Sequence, residues 1–243
     1  MHLFRRSTRK VPLPFLTDLH SHLLPGVDDG APDVATSLKL IEGLETLGYR
    51  KLITTPHIYQ DLFPNTPETL GAAYAVLMEE LKAHSEVSLT FAAEYFMDDH
   101  LGGLLKRHAS ILTLRDNWVL VETSFVQPPL DLDQRVFQLQ VGGYTPVIAH
   151  PERYPFWQVK REQYGLFREK GCLLQLNLLS LIGYYGKEVA ETAGWLVRNE
   201  LVDLVGTDCH HERHLKALEE GAELILRRLD PLLRKGSILN PSL

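Results

Sequence analysis

FLTDLHSHLLPGVDDGA, residues Phe15 to Ala31, opens on an apolar pair and then places Asp18, His20 and His22 at alternate positions. Alternate side chains of a strand share a face, so all three point the same way. Pro25 and Gly26 break the strand, and Asp28, Asp29 and Gly30 make an acidic turn beside it. Two histidines on one strand, with carboxylates a few residues on, suit a cation that draws its ligands from one direction. A solitary His-x-His is more often ordinary surface, so the reading depends on the partners that the rest of the chain supplies.

Outward from this segment, strand-like and helix-like stretches alternate. Pro32-Asp33 starts a helix with Val34, Leu38, Ile41 and Leu44 or Leu47 as its apolar stripe, closed by Gly48. Lys51 to Thr55 is a strand ending at Pro56-His57. Thr66-Pro67 is an N-cap followed by proline at the first helical position, ahead of the stripe Leu70, Tyr74, Leu77 and Leu81. Further strands run from Ser88 to Ala93 into Glu94, from Trp118 to Val121 into Glu122, and from Thr145 to Ala149 into His150. Two more cover Cys172 to Asn177 and Leu201 to Thr207, the latter ending at Asp208. Helices are expected over Asp131 to Val141, Val159 to Lys170, Lys187 to Asn199 and Glu212 to Leu229, with a tail from Pro231. No repeat, low-complexity tract or linker divides the chain. Roughly seven β/α units predict a closed or nearly closed parallel barrel. The expected organisation is one domain over residues 15–243, preceded by a basic tail over residues 1–14.

His20, His22, His57, Glu94, Glu122, His150, Asp208 and His210 all fall at or just beyond the C-terminal ends of these strands, the rim where barrel enzymes assemble their sites. The other six of the eleven histidines lie in the tail, helices or loops, where solvated surface is the default. Asp29, Glu94, Glu122 and Asp208 crowded into one mouth would repel, and some would be forced to protonate. Divalent cations remove that cost. Three dications against four carboxylates leave a net charge of about +2, which attracts a phosphate monoester carrying about −1.5 to −2. A metal-bound hydroxide is then available as nucleophile.

Composition fits a soluble globular protein, with 44% hydrophobic and 23% charged residues. A net charge of −6 leaves no footprint for a nucleic-acid partner. No apolar run is long enough for a bilayer, and Pro12 and Pro14 stand where a signal peptide would have its apolar core. Only two cysteines, Cys172 and Cys209, point to a reducing, cytoplasmic setting. Neither is followed six positions on by arginine, since Leu178 and Leu215 stand there, so phosphatase chemistry here does not use a thiolate of the cysteine-arginine kind.

The motifs DLHSHLLPGVDDG, TPH, the Glu94 and Glu122 strand ends, HPERY and GTDCH together resemble the PHP (polymerase and histidinol phosphatase) superfamily. They look most like its bacterial protein-tyrosine phosphatase branch, associated with capsule and exopolysaccharide control. The resemblance implies a distorted (β/α)7, TIM-like barrel of the PHP fold. It also implies up to three divalent ions: manganese, with iron, zinc or cobalt acceptable to the same ligand types. His20, His22, Glu94 and Asp208 would hold the first. Glu94 would bridge to a second, completed by Glu122 and His150. Asp29, His57 and His210 would hold the third, and Arg153 would contact phosphate.

The substrate it implies is phosphotyrosine in a protein, a membrane-associated bacterial tyrosine kinase of polysaccharide export. A small-molecule phosphatase of the histidinol-phosphatase type is the alternative. An inactive, metal-binding PHP module or a nuclease-type domain is disfavoured by the absence of a basic excess. Around the mouth, Tyr59, Phe63, Tyr95, Phe96, Tyr154, Phe156 and Trp157 follow rim ligands and offer a slot for a phenyl ring. Asp18 either orients a histidine or partners a backbone group, Asp28 competes with Asp29, Cys209 is expected as a packed thiol, and Arg213 is a weaker phosphate candidate than Arg153.

Overall fold

The computed structural model describes residues 11–82 and 84–240. Residues 1–10 of the expected basic tail, including Arg5, Arg6, Arg9 and Lys10, lie outside them. In chain order the elements are β1 (Thr17–Asp18), α1 (Val34–Thr46), β2 (Lys51–Thr54), β3 (His57–Ile58), α2 (Pro67–Leu81), β4 (Ser88–Phe91), β5 (Glu94–Phe96), α3 (Asp99–Lys106) and β6 (Trp118–Glu122). There follow α4 (Leu132–Val141), β7 (Thr145–Ala149), a 3-10 turn (Pro151–Arg153), α5 (Pro155–Val159), α6 (Glu162–Glu169), β8 (Leu173–Asn177), α7 (Leu178–Leu181), α8 (Lys187–Arg198), β9 (Leu204–Gly206) and α9 (Glu212–Lys235).

Every ladder between these strands is parallel, in the orders β1-β2-β4 and β3-β5-β6-β7-β8-β9. Two of the expected strands end slightly early, before Thr55-Pro56 and Ala92-Ala93, and each is followed by a further short strand. Proline has no N–H for a ladder, so β2 gives way to β3, and Glu94 opens β5 rather than trailing β4. Bonds from Ala92 N–H to the Thr54 carbonyl (2.8 Å) and from Glu94 N–H to the Pro56 carbonyl (3.1 Å) carry the wall across that seam. At the other seam, Asp208 N–H donates to the His20 carbonyl (2.7 Å) and His22 N–H to the Cys209 carbonyl (3.0 Å), beside a parallel bridge of Ser21 and Cys209. With β2/β3 and β4/β5 each counted as one stave, seven parallel staves form the distorted (β/α)7 wall.

Strand alternation sorts the core into two layers. Leu19, Ile53, Ala92, Leu120, Val147 and Leu204 come from six staves and meet in a small inner cluster. Val119 and Val121, the neighbours of Leu120, face the larger layer beneath the helices. Truncating a plug residue such as Leu120 to alanine costs about 2–5 kcal/mol, and the plug is the floor on which the rim ligands stand. Two residues beyond Leu120 on the same face is Glu122, so the alternation that seats the plug also aims a carboxylate into the mouth.

The last helix differs from expectation. α9 runs through Pro231 to Lys235 instead of giving way to a tail. Proline inside a helix costs about 3 kcal/mol, but Leu218, Ala222, Ile225, Leu229 and Leu232 are all buried at helical spacing, and that packing outweighs it. Gly236, in the left-handed region (φ 63°), ends the helix. α3, capped by the Asp98 side chain on Leu101 N–H, and the short α5 and α7 are additions that the apolar stripes did not signal. Among the described residues, no helix is long and apolar enough to cross a membrane.

Candidate metal centre

The nine side chains named from the sequence converge at the C-terminal mouth of the staves. His20, His22 and Glu94 are fully buried, Glu122, His150 and Asp208 nearly so, and His57, His210 and Asp29 line the opening. His20 Nε2 lies 3.2 Å from Glu94 Oε2 and 3.4 Å from Asp208 Oδ1. His22 Nε2 lies 3.4 Å from Glu94 Oε2 and 3.5 Å from Asp208 Oδ1. His150 Nε2 approaches Glu94 Oε1 at 3.0 Å, and His57 Nδ1 approaches Glu122 Oε1 at 2.9 Å. Asp29 Oδ1 sits 3.5 Å from both His57 Nε2 and His210 Nε2.

The donor atoms form four overlapping groups, each within 4.8 Å internally: His20, His22 and Asp208; His20, Glu94 and His150; His57, Glu94 and Glu122; and His22, Asp29, His57 and His210. Asp29, His57 and His210 gather as the resemblance implies, and Glu94 is shared between groups. Glu122 and His150 each meet Glu94 but fall in separate groups, with His57 beside Glu122. The donor set fits divalent cations on a specific ground. His57 Nδ1 and Glu94 Oε1 are buried and make no hydrogen bond, although each has a counterpart within 3.0 Å. Buried polar atoms that lie this close to a counterpart and still form no hydrogen bond are the kind of atoms that a metal-ligand set contains.

Charge supports the same fit. Burial depresses the basicity of His20, but the carboxylates of Glu94 and Asp208 overcome it and lift the imidazole to about 9. His22 is raised in the same contest between burial and Asp28. Glu94 and Asp208 are both held well below the usual carboxylate range, their burial outweighed first by His20. Protons on these histidines balance the carboxylates, and a dication displaces those protons when it binds.

Behind the ligands stand residues that hold them, several of which the sequence did not reveal. Gln175 Oε1 accepts from His20 Nδ1 at 2.8 Å and from His150 N–H at 3.3 Å. A Cβ on Gly206 would lie 2.6 Å from Gln175 Nε2 and 2.7 Å from His20 Cβ, so only glycine lets these two meet. Asp28 Oδ2 faces His22 Nδ1 at 2.7 Å and accepts from His57 N–H at 3.1 Å, leaving Asp29 to face the mouth. Asp18 takes the backbone alternative, accepting from Thr207 N–H (2.9 Å) and Thr207 Oγ1 (2.7 Å) beside Asp208. Asn177 Nδ2 donates to Asp208 Oδ2 at 2.8 Å. Cys209 is a fully buried thiol, as expected. His150 (φ 33°) and Asp208 (φ 50°) are non-glycine residues in the left-handed region, strain that persists only where surrounding contacts over-determine it.

Arg153 lies on the 3-10 turn after His150 and donates to Asp208 Oδ2 at 2.7 Å, with its side chain 21% exposed in the mouth. Arg213 sits exposed in the first turn of α9, away from the cleft lining. The cleft over the ligands holds about 570 Å³. Of the expected aromatics, Tyr59, Phe63 and Phe96 line it, Tyr59 stacking on Phe96 at 4.0 Å and Phe63 on His57 at 5.4 Å. Tyr95, Tyr154 and Trp157 are core, and Phe156 packs against them. Phe125 and Tyr185, which the sequence did not single out, add two more rings to the lining, and His211 and His214, expected as solvated surface, border it as well.

The chain as a whole is similar to several known proteins. The chain is 31% identical over 208 residues to the tyrosine-protein phosphatase YwqE of Bacillus subtilis, covering 81% of this chain and 78% of that one. It is 26% identical over 204 residues to the tyrosine-protein phosphatase CpsB of Streptococcus pneumoniae, covering 81% and 83%. A solved structure from work on YwqE and CpsB, described as unique metal-dependent tyrosine phosphatases, matches with a TM-score of 0.74 at 30% identity over 91% of this chain and 96% of that one. A phosphotriesterase homology protein from Escherichia coli matches at a TM-score of 0.53 and 15% identity, over 92% of each chain, and shares the fold alone. The family model described as capsular polysaccharide synthesis, CpsB/CapC, matches residues 16–238. The resemblance read from the motifs is borne out, and the chain belongs to the CpsB/CapC family of capsular polysaccharide synthesis.

Proposed function

We propose that this protein is a metal-dependent protein-tyrosine phosphatase acting in the cytoplasm on a membrane-associated tyrosine kinase of polysaccharide export. The observation that carries the reading is the convergence of nine histidine and carboxylate donors under a cleft that also holds an arginine and a wall of aromatic rings. In this reading His20, His22, Glu94 and Asp208 hold one divalent ion, Glu94, Glu122 and His150 a second, and Asp29, His57 and His210 a third, with manganese the expected metal. Such ions, when bound, neutralise phosphoryl charge and acidify water into a hydroxide nucleophile at neutral pH.

The chain's own residues do the rest. Arg153 offers a planar fork of donors, of which the bond to Asp208 uses one, so the others remain for phosphoryl oxygens. Tyr59, Phe63 and Phe96 form a wall for the phenyl ring, and a cleft of this size suits an aryl phosphate side chain. A phenol of pKa near 10 leaves with less protonation than an alkoxide, so the reaction makes a smaller demand on a general acid.

The test compares turnover of a phosphotyrosine peptide, its phosphoserine counterpart and histidinol phosphate. The phosphotyrosine peptide is expected to be the preferred substrate. Activity should vanish on dialysis against a strong chelator and return with manganese. Equal kcat/KM on the two peptides, preference for histidinol phosphate, or full turnover by metal-free protein would each overturn the proposal.

A further inference from the structure

Arginine is a long side chain, and a phosphate-gripping guanidinium needs more than one anchor to stay aimed. Arg153 has its ion pair with Asp208 and, in addition, two aromatic faces. Its Cζ lies 4.2 Å from the Tyr185 ring centroid and 5.0 Å from that of Phe125. Tyr185 comes from the turn Gly183-Tyr184-Tyr185-Gly186 between α7 and α8. Gly183 (φ 80°) and Gly186 (φ 104°) both occupy the left-handed region, and Gly186 N–H closes the turn on the Gly183 carbonyl at 3.1 Å. That turn delivers a tyrosine to the rim from a part of the chain that carries no ligand.

The Tyr185 hydroxyl adds a tie to the same network. Asn177 Nδ2, which donates to Asp208 Oδ2, also reaches Tyr185 Oη at 3.3 Å. Asp208 is therefore divided. Its Oδ2 serves Arg153 and Asn177, while its Oδ1 faces His20, His22 and His210 at 3.4, 3.5 and 3.4 Å. Tyr185 and Arg153 stand together on the side of this carboxylate away from the histidines.

We propose that Tyr185, assisted by Phe125, is a positioning residue that clamps the Arg153 guanidinium by cation–π contact so that its remaining N–H donors face the substrate phosphate. The inference rests on the proposed phosphatase reading for its substrate, but the clamp itself acts on any phosphate group in the cleft. The ring face is the working part, since the ring flanks the cation. The hydroxyl only braces Asn177.

The experiment uses the metal-loaded full chain with Tyr185→Ala, Tyr185→Phe and Arg153→Ala, together with the Tyr185→Ala/Arg153→Ala double variant. Three quantities are read: metal content, the binding constant for inorganic phosphate, and kcat and KM on a phosphotyrosine peptide. Tyr185→Ala should keep its metals yet bind phosphate and turn over about ten- to a hundredfold less well. Tyr185→Phe should recover most of the loss. The double variant should be no worse than Arg153→Ala, because an unaimed arginine and a missing one fail alike. Should alanine loosen the turn, Tyr185→Leu keeps the bulk without the π face and should show the same loss. Unchanged phosphate affinity in Tyr185→Ala, no recovery in Tyr185→Phe, or an equal further loss in the Arg153→Ala background would overturn the clamp. A wild-type protein inert toward phosphotyrosine would sink the substrate assignment alone, and phosphate affinity would still decide the clamp.

Discussion

Replacing Gln175 by methionine removes one acceptor and leaves every ligand in place. Gln175 is fully buried, and its Oε1 takes the Nδ1–H of His20 at 2.8 Å. That bond holds a proton on Nδ1, so Nε2, turned toward Glu94 and Asp208, is the nitrogen that a cation would take once its proton is displaced. Methionine has a similar length and no branch to strike Gly206, so packing is largely preserved. The buried His20 Nδ1–H and the more weakly held His150 N–H both lose their acceptor, the first alone at a cost of about 1–3 kcal/mol. At about 1.4 kcal/mol per decade, this is roughly five- to 150-fold in any equilibrium that needs His20 correctly turned. Loss of a ligand's orienting partner costs about 10–100-fold in metal affinity elsewhere, which agrees. The assay is calorimetric titration of chelator-stripped protein with manganese, beside kcat/KM on a phosphotyrosine peptide. A Gln175→Met protein with wild-type manganese affinity and wild-type turnover would refute the reasoning, because the hydrogen bond would then be incidental to the site.

Other perturbations separate the remaining roles. Arg153→Ala should keep its full metal content while turnover falls on the order of a hundred- to a thousandfold, with only partial rescue by lysine; near-normal turnover would return Arg153 to an ordinary solvated residue. His57→Ala, by contrast, should lose an ion or much of its occupancy by elemental analysis, with activity falling in step. Burial raises the Cys172 thiol to about 12 and the Cys209 thiol higher still, so at pH 8 both stay protonated and unreactive. Iodoacetamide at that pH should leave native protein unmodified by mass spectrometry and fully active, and modify both cysteines only once denaturant is added.

Much of this architecture was legible because barrel staves, helix stripes and rim ligands follow local rules. His150 and Asp208 could be placed at strand ends because the strands before them are short apolar runs that stop at a polar residue. What escaped was set by tertiary contact. Pro231 reads as a helix stop, yet Leu229 and Leu232 bury on either side of it and keep α9 going. Gln175 and Asn177 occur in a strand that looks like any other, and only the neighbouring staves bring them against His20 and Asp208. Sequence alone also could not sort the aromatics: Tyr154 and Tyr59 both follow rim ligands, but Tyr154 turns inward to accept from Thr123 N–H at 3.1 Å, while Tyr59 lines the cleft. The Asp28-Asp29 pair shows the limit most sharply. The two carboxylates are neighbours, and the choice between them depends on His22 Nδ1 occupying Asp28.

The location of the strain bears on why the ligands lie where they do. His20 and His22 extend from the three-stranded sheet, whereas Glu94 and Glu122 belong to the six-stranded one and His150 and Asp208 follow its β7 and β9. The closing seam between them is held by a few backbone bonds, with the His20 carbonyl paired to the N–H of Asp208 itself. Asp208 adopts its left-handed conformation at this junction, at about 1–2 kcal/mol, and there its carboxylate is split between histidines and Arg153. The distortion of the barrel and the shape of the site therefore have one origin: closing the wall at Asp208 is the same act as placing a carboxylate between the histidines that gather cations and the arginine that faces phosphate.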